Sequence, residues 1–155
     1  MSLFYQIVFP QDAPEAETFI QRQLVEWAVT FQLEKESPTQ FIVLQQAEVV
    51  LALIVTHESN YVELSFGEYA YTTDWYIELG KSDGLTAMKF YVALLGSVIT
   101  SYKGDFLSLF NGERVVAKRE NGHLYLNTES SIWQKDSNLA LLANQPYELA
   151  TYPVE

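Results

Sequence analysis

One stretch of the chain, FLSLFNGERVVAKRENGHLYL over residues 106–126, decides the class of fold. It contains two Asn-Gly pairs, Asn111-Gly112 and Asn121-Gly122, each placed between runs in which apolar and polar residues alternate. An Asn-Gly pair readily adopts the two positive φ angles that a tight hairpin turn requires. The stretch therefore predicts an antiparallel meander of three strands, at Phe106–Phe110, Arg114–Lys118 and His123–Leu126.

The segment before this meander predicts a long amphipathic helix. Apolar residues recur at spacings of three and four, at Leu85, Met88, Val92, Leu95, Ile99 and Tyr102. This spacing places them on one face of an α-helix, and we expect that face to be buried against the sheet. Ser82 or Asp83 is predicted to cap the start of the helix, and Gly104 is predicted to end it.

The first 80 residues predict six more strands, from alternating or β-branched runs. These strands are Leu3–Phe9, Trp27–Leu33, Phe41–Leu44, Val49–Thr56, Tyr61–Phe66 and Asp74–Leu79. The run at 49–56 is almost entirely apolar, which predicts a strand buried on both faces. Ser37-Pro38-Thr39 is predicted to form a turn.

One helix is predicted between the first two of these strands. Asp12 and Glu15 stand at capping-box spacing, with Pro14 in the first turn. Phe19, Ile20 and Leu24 supply its apolar stripe.

Together these elements predict an α+β protein with a mainly antiparallel β-sheet, two helices packed on one face and a C-terminal β-meander. A length of 155 residues suits a single domain over 1–155. Residues 128–155 carry a weaker pattern. We expect them to form a C-terminal extension, with a short helix near Leu139–Ala143 and an extended tail.

The composition restricts the compartment and the kind of site. The chain has no cysteine, which excludes disulfides and thiolate metal sites and fits a reducing environment. No basic region precedes an apolar stretch at the N-terminus, so no secretory signal is expected. The apolar run at Val49–Val55 is far shorter than the about 20 residues that span a bilayer. We therefore expect a cytoplasmic protein without a membrane segment.

The net charge of −11 is concentrated in the first half of the chain. Residues 1–80 contain twelve acidic residues and two basic ones, Arg22 and Lys35. Nucleic-acid binding needs a basic footprint, and the sequence has none. A strongly negative half favours association with a basic protein partner, although the same charge also serves solubility.

The sequence contains little that indicates catalysis. His57 and His123 stand far apart and belong to no metal-ligand spacing, and no nucleophile elbow or phosphate-binding glycine loop occurs. We therefore assign no catalytic residue, no metal ligand and no cofactor. The enzymatic alternative is a pair of carboxylates among Glu63, Asp74 and Glu78, because two such groups about 5–9 Å apart can cleave a glycosidic bond.

The same part of the chain predicts a protein-binding face. Alternation puts Trp75, Ile77 and Leu79 inward and leaves Asp74, Tyr76 and Glu78 outward. Tyrosine adds rigid amphipathic contact area, and carboxylates meet Lys or Arg. The predicted partner-binding residues are Glu63, Glu68, Asp74, Tyr76 and Glu78, with Glu68 in the link between two strands. The alternative is a solvated face whose tyrosines reflect strand propensity.

A family resemblance covers the helix and the meander. The segment Tyr102-Lys103-Gly104-Asp105-Phe106 continues through Asn111-Gly112-Glu113-Arg114 to Gly122 and Leu124-Tyr125-Leu126-Asn127. This pattern of helix, Gly-Asp, apolar strand, Asn-Gly-Glu, mixed strand and Leu-x-Leu-Asn resembles the swarming-inhibition toxin immunity proteins of bacteria. Lys103 stands where that family tends to have proline, and the resemblance lies mainly within residues 84–127.

The resemblance implies a cytoplasmic antidote that binds and blocks a cognate protein toxin and has no catalytic residues of its own. A rival hypothesis is a small-molecule binder in which the sheet and the long helix enclose a pocket lined by some of the nine Phe and ten Tyr residues. A cavity of several hundred Å³ with convergent polar groups is typical of such a protein.

Overall fold

The computed structural model describes residues 3–27, 31–81 and 84–152. Within these ranges the strands are β1 Phe4–Phe9, β2 Gln32–Ser37, β3 Gln40–Gln45, β4 Glu48–Thr56, β5 Asn60–Leu64, β6 Gly67–Tyr71, β7 Thr73–Leu79, β8 Phe106–Phe110, β9 Arg114–Glu120, β10 His123–Asn127 and β11 Glu148–Ala150. The helices are α1 Ala16–Glu26, α2 Gly84–Ser101 and α3 Asp136–Leu139, with single 3₁₀ turns at Ser131–Gln134 and Ala140–Leu142.

Nine of the described strands form one sheet, in the order β11-β10-β9-β8-β1-β7-β4-β3-β2. The N-terminal strand β1 lies between β7 and β8 and so joins the first half of the chain to the meander. Neighbouring strands are antiparallel except β10 and β11, which run parallel. The predicted α+β fold with a mainly antiparallel sheet is therefore confirmed.

Both Asn-Gly turns of the meander are confirmed. The φ angles are 52° and 75° at Asn111 and Gly112, and 53° and 82° at Asn121 and Gly122. The second pair joins two directly opposed residues, as a two-residue loop does. The first loop is one residue longer because Phe110 pairs with Arg114, and the register shifts again near Ser108. The middle strand also extends two residues beyond its predicted end.

The long helix α2 buries the central part of its predicted face. Val92, Leu95 and Ile99 are at most 2% exposed, whereas Leu85 in the first turn is 61% exposed. By length and composition alone α2 could cross a membrane, with a mean hydropathy of 1.3, but half of that span is buried in the fold. The predicted caps Ser82 and Asp83 lie outside the described residues.

The end of α2 differs from its predicted form. The helix ends at Ser101, and Gly104 does not adopt a left-handed φ. Instead, the guanidinium of Arg119 donates to the carbonyls of Ile99 and Tyr102. A cation that binds the last carbonyls satisfies them and complements the helix dipole. A side chain from the sheet therefore ends the helix where a glycine was expected to do so.

The start of α1 was predicted too early. The helix begins at Ala16, and Glu15 makes no side-chain capping hydrogen bond. Asp12 has a φ of 44°, so it does not cap the helix. The reason is Pro14, which disfavours helical geometry at Ala13. The apolar stripe is confirmed, since Phe19 and Ile20 are buried and Leu24 packs against the same core.

Two strands of the first half differ from their predictions. β2 begins at Gln32, and Trp27 and Phe31 pack on the ring of Phe90 instead of entering the strand. Val29 lies outside the described residues. The expectation that β4 is buried on both faces was wrong, because Ile54 is 38% exposed.

The segment after β4 forms a separate hairpin, β5–β6, which the sequence predicted only as a single strand. Its inner side contributes Leu64 to a small buried cluster that also contains Val8, Leu107, Leu109 and Val115. The hairpin therefore covers β1, β8 and β9 on the face opposite the helices. Its turn places Phe66 over Lys118, with the Nζ atom 4.2 Å from the ring centroid.

The C-terminal segment folds back onto the helix-bearing face. Ile132, Trp133 and Leu142 join the main core, and the Trp133 Nε1 donates to the carbonyl of Val116 at 2.8 Å. The predicted short helix near 139–143 corresponds to α3 and the 3₁₀ turn after it, which begin three residues earlier. Within the described part of the tail, Glu148–Ala150 is extended as expected, but its pairing as the strand β11 was not predicted.

Candidate protein-binding face

The nine-stranded sheet has two unlike faces. Its inner face is covered by α1, α2 and the C-terminal segment, which together enclose the main core. On the outer face, the hairpin covers β8, β9 and the part of β1 at Val8. Over β7, β4, β3 and β2 the outward side chains are exposed or half-buried. This open half of the outer face is the candidate site.

The strand register defines the outward side chains of this open half. One row across β1, β7, β4 and β3 consists of Gln6, Tyr76, Ile54 and Gln40. The next row, which continues onto β2, consists of Phe4, Glu78, Ala52, Ile42 and Glu34. We call these nine residues the outer-face patch. Asp74 lies beside it on β7, opposite Val8 and Thr56.

The centre of the outer-face patch is apolar. The ring of Phe4 stacks on that of Tyr76, with centroids 4.8 Å apart and an interplanar angle of 22°. Ile54 stands directly opposite Tyr76 on β4. Aromatic stacking on a rigid sheet holds these side chains in place before any partner arrives, which lowers the entropy lost on binding.

Carboxylates and amides frame that centre. Glu78 and Glu34 are exposed, whereas Asp74 is half-buried and its Oδ2 accepts a hydrogen bond from the Gln6 Nε2 at 3.1 Å. The Oδ1 atom is buried without a partner among the described residues. Burial raises the pKa of Asp74, against the opposing effect of the Gln6 hydrogen bond. Burial, and then the charges of Glu78 and Asp74, raise the pKa of Tyr76.

The hairpin carries the other two predicted residues. Glu63 and Glu68 form a directly opposed cross-strand pair on its solvent side. Glu68 therefore lies in β6, and its predicted place in a link was wrong. Like charges in directly opposed positions destabilise a pair of strands. This pair therefore does not stabilise the fold.

The structure divides the five predicted residues between two layers. Asp74, Tyr76 and Glu78 lie together on the outer side of β7, and Glu63 and Glu68 lie on the hairpin. The described residues form two ion pairs, Lys35–Glu17 and Lys118–Glu120, and neither involves one of these carboxylates. No ion pair within the described residues therefore neutralises the acidic residues among these five.

Sequence reasoning missed Phe4, Ile42 and Ile54. Each belongs to a strand in which apolar residues also occupy the inward positions, so alternation alone does not mark the outward ones. Alternation marks Asp74, Tyr76 and Glu78 as outward residues of β7. The positions of Phe4, Ile42 and Ile54 beside them follow only from the strand register, which the sequence does not provide.

The geometry does not favour the glycosidase hypothesis. Asp74 and Glu78 are four residues apart on one strand, which separates their Cα atoms by about 13 Å. Paired catalytic carboxylates lie about 5–9.5 Å apart. Glu63 is in the other sheet. His57 and His123 are exposed, and the described part of the chain contains no group of three or more His, Asp or Glu residues suited to a metal.

One cavity bears on the small-molecule hypothesis. It has a volume of about 420 Å³ and lies where the first half of α2 meets the start of β1, the end of β8, the start of β9 and the segment after β10. Its walls include Tyr5, Met88, Phe110 and Arg114. None of these residues belongs to the outer-face patch, so the molecule has two separate candidate sites.

Comparison of the chain with protein-family models, with curated proteins and with solved structures found no match. The fold and the candidate face define an α+β protein with one partly open, acidic sheet face.

Proposed function

We propose that this chain is an immunity protein, which neutralises a cognate bacterial toxin by binding and blocking it. The observation that carries the proposal is the outer-face patch. A half-exposed apolar centre on a rigid sheet is bordered by carboxylates that make no ion pair with the described residues.

The chemistry of the outer-face patch suits a protein partner. Binding energy concentrates in a few aromatic or aliphatic anchors, and surrounding polar groups exclude water from them. Tyr76 and Ile54 are placed to act as anchors, and Glu78 and Glu34 are placed at the rim. Carboxylates at a rim steer a basic partner and raise its association rate. The partner is therefore expected to present a basic rim around an apolar centre.

The resemblance supports a toxin as that partner. It lies in α2 and the meander, which form the inner layer and one half of the sheet. The open outer half is built from the first 80 residues, which contain twelve acidic and two basic residues. One part of the chain thus supplies a scaffold, and the other supplies the surface that distinguishes one partner from another.

A direct test uses the product of the gene immediately upstream of this one. Expressed alone it should arrest growth, and coexpression of this chain should restore growth. The purified pair should bind, and its association rate should fall as salt rises because long-range attraction is screened.

Matched variants separate this site from general acidity. Glu78→Lys and Tyr76→Ala should weaken both protection and binding. Glu148→Lys and Tyr147→Ala are the controls. They change similar exposed residues at the start of β11, which is five strands away from β7 in the sheet, and should leave protection and binding unchanged. If the upstream product is harmless, or does not bind, the immunity function is wrong. If all four variants protect equally, the interface lies elsewhere.

A further inference from the structure

We propose that the 420 Å³ cavity beside Tyr5 and Arg114 is a binding site for a small molecule with an apolar body and an anionic head. The site is independent of the proposed toxin-binding face. Tyr5 points to the inner side of β1, whereas its neighbour Phe4 belongs to the outer-face patch.

The size and walls of the cavity suit an apolar body. Ligand sites typically enclose about 300–1,000 Å³ and are lined mainly by apolar side chains. The ring of Tyr5 is fixed by stacking on Tyr91, with centroids 3.9 Å apart, and by a tilted contact with Phe110 at 5.0 Å. Met88 and Ile132 supply aliphatic surface beside these rings.

Most of the hydrogen-bond donors at the cavity donate to no acceptor within the described part of the chain. The guanidinium of Arg114 and the hydroxyls of Ser130 and Ser131 have no hydrogen-bond or ion-pair partner within the described part of the chain. The Tyr5 hydroxyl donates only to the Sδ of Met88, at 3.5 Å. A thioether is a weak acceptor, so this hydroxyl gains by exchanging it for an oxygen.

The two charged groups that line the cavity, Arg114 and Glu129, balance each other, so the hydrogen-bond donors are what favour an anion. Burial raises the pKa of Tyr5 to about 12, so its hydroxyl remains a neutral donor. The carboxylate of Glu129 is the one acidic group in the described lining, which also contains one guanidinium and four hydroxyls, those of Tyr5, Ser130, Ser131 and Tyr152. A carboxylate or sulfonate accepts charge-assisted hydrogen bonds from Arg, which are about twice as strong as neutral ones.

The wall beside these donors is preorganised. The side-chain amide of Asn127 donates to the carbonyl of Val115 at 2.7 Å, and its oxygen accepts from the backbone N–H of Glu129 at 3.0 Å. These bonds fix the turn that leads to Ser130 and Ser131. The backbone that carries Ser130 and Ser131 is therefore fixed before a ligand binds, which lowers the cost of binding.

The test compares two fluorescent probes that share one apolar body. 8-Anilinonaphthalene-1-sulfonate carries the anionic head, and N-phenyl-1-naphthylamine lacks it. Titrated into the full chain, the sulfonate should bind at one saturable site and more tightly than the neutral probe. Arg114→Gln should weaken binding of the sulfonate by about tenfold, the loss of one charge-assisted hydrogen bond. Binding of the neutral probe should not change.

Two further variants keep the test decisive. Lys135→Gln removes an exposed cation that does not line the cavity and should leave binding of both probes unchanged. Ser131→Asp adds a negative charge at the exposed rim and should weaken the sulfonate alone. Non-saturable binding, equal loss in Arg114→Gln and Lys135→Gln, or no preference for the sulfonate would each overturn the proposal. Thermal melts establish that the variants are folded.

Discussion

The two faces of the nine-stranded sheet put neighbouring residues of one strand to different uses. On β7 the side chain of Trp75 is fully buried, while that of Tyr76, the next residue, lies half-exposed on the outer face. Thirty buried residues form the inner cluster and five form the outer one, counted over the described chain. Burial drives stability, so the inner face holds the fold together. The open half of the outer face is left with side chains that can be changed without unfolding the protein.

The outer face is itself divided. Where the hairpin covers it, Val8 and Leu107 are fully buried. Where no hairpin lies, Ile54 remains 38% exposed although its strand is apolar. An apolar residue in an open position contributes little to stability and much to the binding of a partner. The five predictions that follow test this division, from the largest expected effect to the smallest.

The largest effect is expected in the inner core. Leu95→Ala should lower the free energy of unfolding by about 2–5 kcal/mol, because a fully buried side chain leaves a cavity. Chemical denaturation measures the loss. Leu85→Ala on the same helix is the control, since Leu85 is 61% exposed and its loss should stay within about 0.5 kcal/mol. A loss below about 1 kcal/mol for Leu95→Ala would mean that the helix face is misassigned.

A smaller and local effect is expected beneath the hairpin. Leu64→Ala should cost about 2 kcal/mol, the lower end for a buried leucine, because its cluster is small. Hydrogen exchange should speed up in β5 and β6 while β4 and β7 stay protected. Equal loss of protection in β4 would show that the hairpin and the sheet unfold as one unit.

The next effect concerns binding. Tyr76→Ala should speed dissociation from the partner, with little change in the association rate. The dissociation rate should rise about tenfold for each 1.4 kcal/mol by which the substitution weakens the binding free energy. Surface plasmon resonance separates the two rates, and circular dichroism checks the fold. An unchanged dissociation rate would exclude Tyr76 as an anchor.

Opposite effects on stability and binding are expected at the hairpin. Glu63→Lys replaces a like-charge pair with an opposite-charge pair facing Glu68, which should stabilise the protein by about 0.2–1 kcal/mol. The same change should slow association with a basic partner and flatten its salt dependence. A variant that is more stable and associates as fast as the wild type would limit Glu63 to a role in solubility.

The smallest effect on stability is expected at Asp74, whose carboxylate accepts a hydrogen bond from Gln6. Burial raises the folded pKa above the unfolded value of about 3.9. Between these two values the folded state binds more protons, so the free energy of unfolding falls as pH rises through that window. Asp74→Asn removes this contribution, and its stability relative to the wild type should grow from acid to neutral pH. Urea denaturation across this pH range measures the difference in stability between Asp74→Asn and the wild type. A difference that does not change with pH would contradict the raised pKa of Asp74.

Local rules explain what could be predicted. The turns at Asn111-Gly112 and Asn121-Gly122 follow from backbone sterics, and the inward position of Trp75 follows from the period of a strand. The outward positions of Asp74, Tyr76 and Glu78 follow from the same period. The helix starts at Ala16, later than the capping pattern at Asp12 and Glu15 predicts, because Pro14 disfavours helical geometry at Ala13.

The sequence by itself thus determined the class of fold, the inner face of the sheet and the acidity of the outer one, because periodicity, turn chemistry and charge are properties of neighbouring residues. Only the tertiary structure decided which half of the outer face the hairpin covers, since that depends on the packing of residues such as Leu64 with Leu107. It alone left Ile54 open beside Tyr76 and brought Arg114 to the cavity beside Tyr5. These juxtapositions join distant parts of the chain through strand register and packing, which no local pattern specifies.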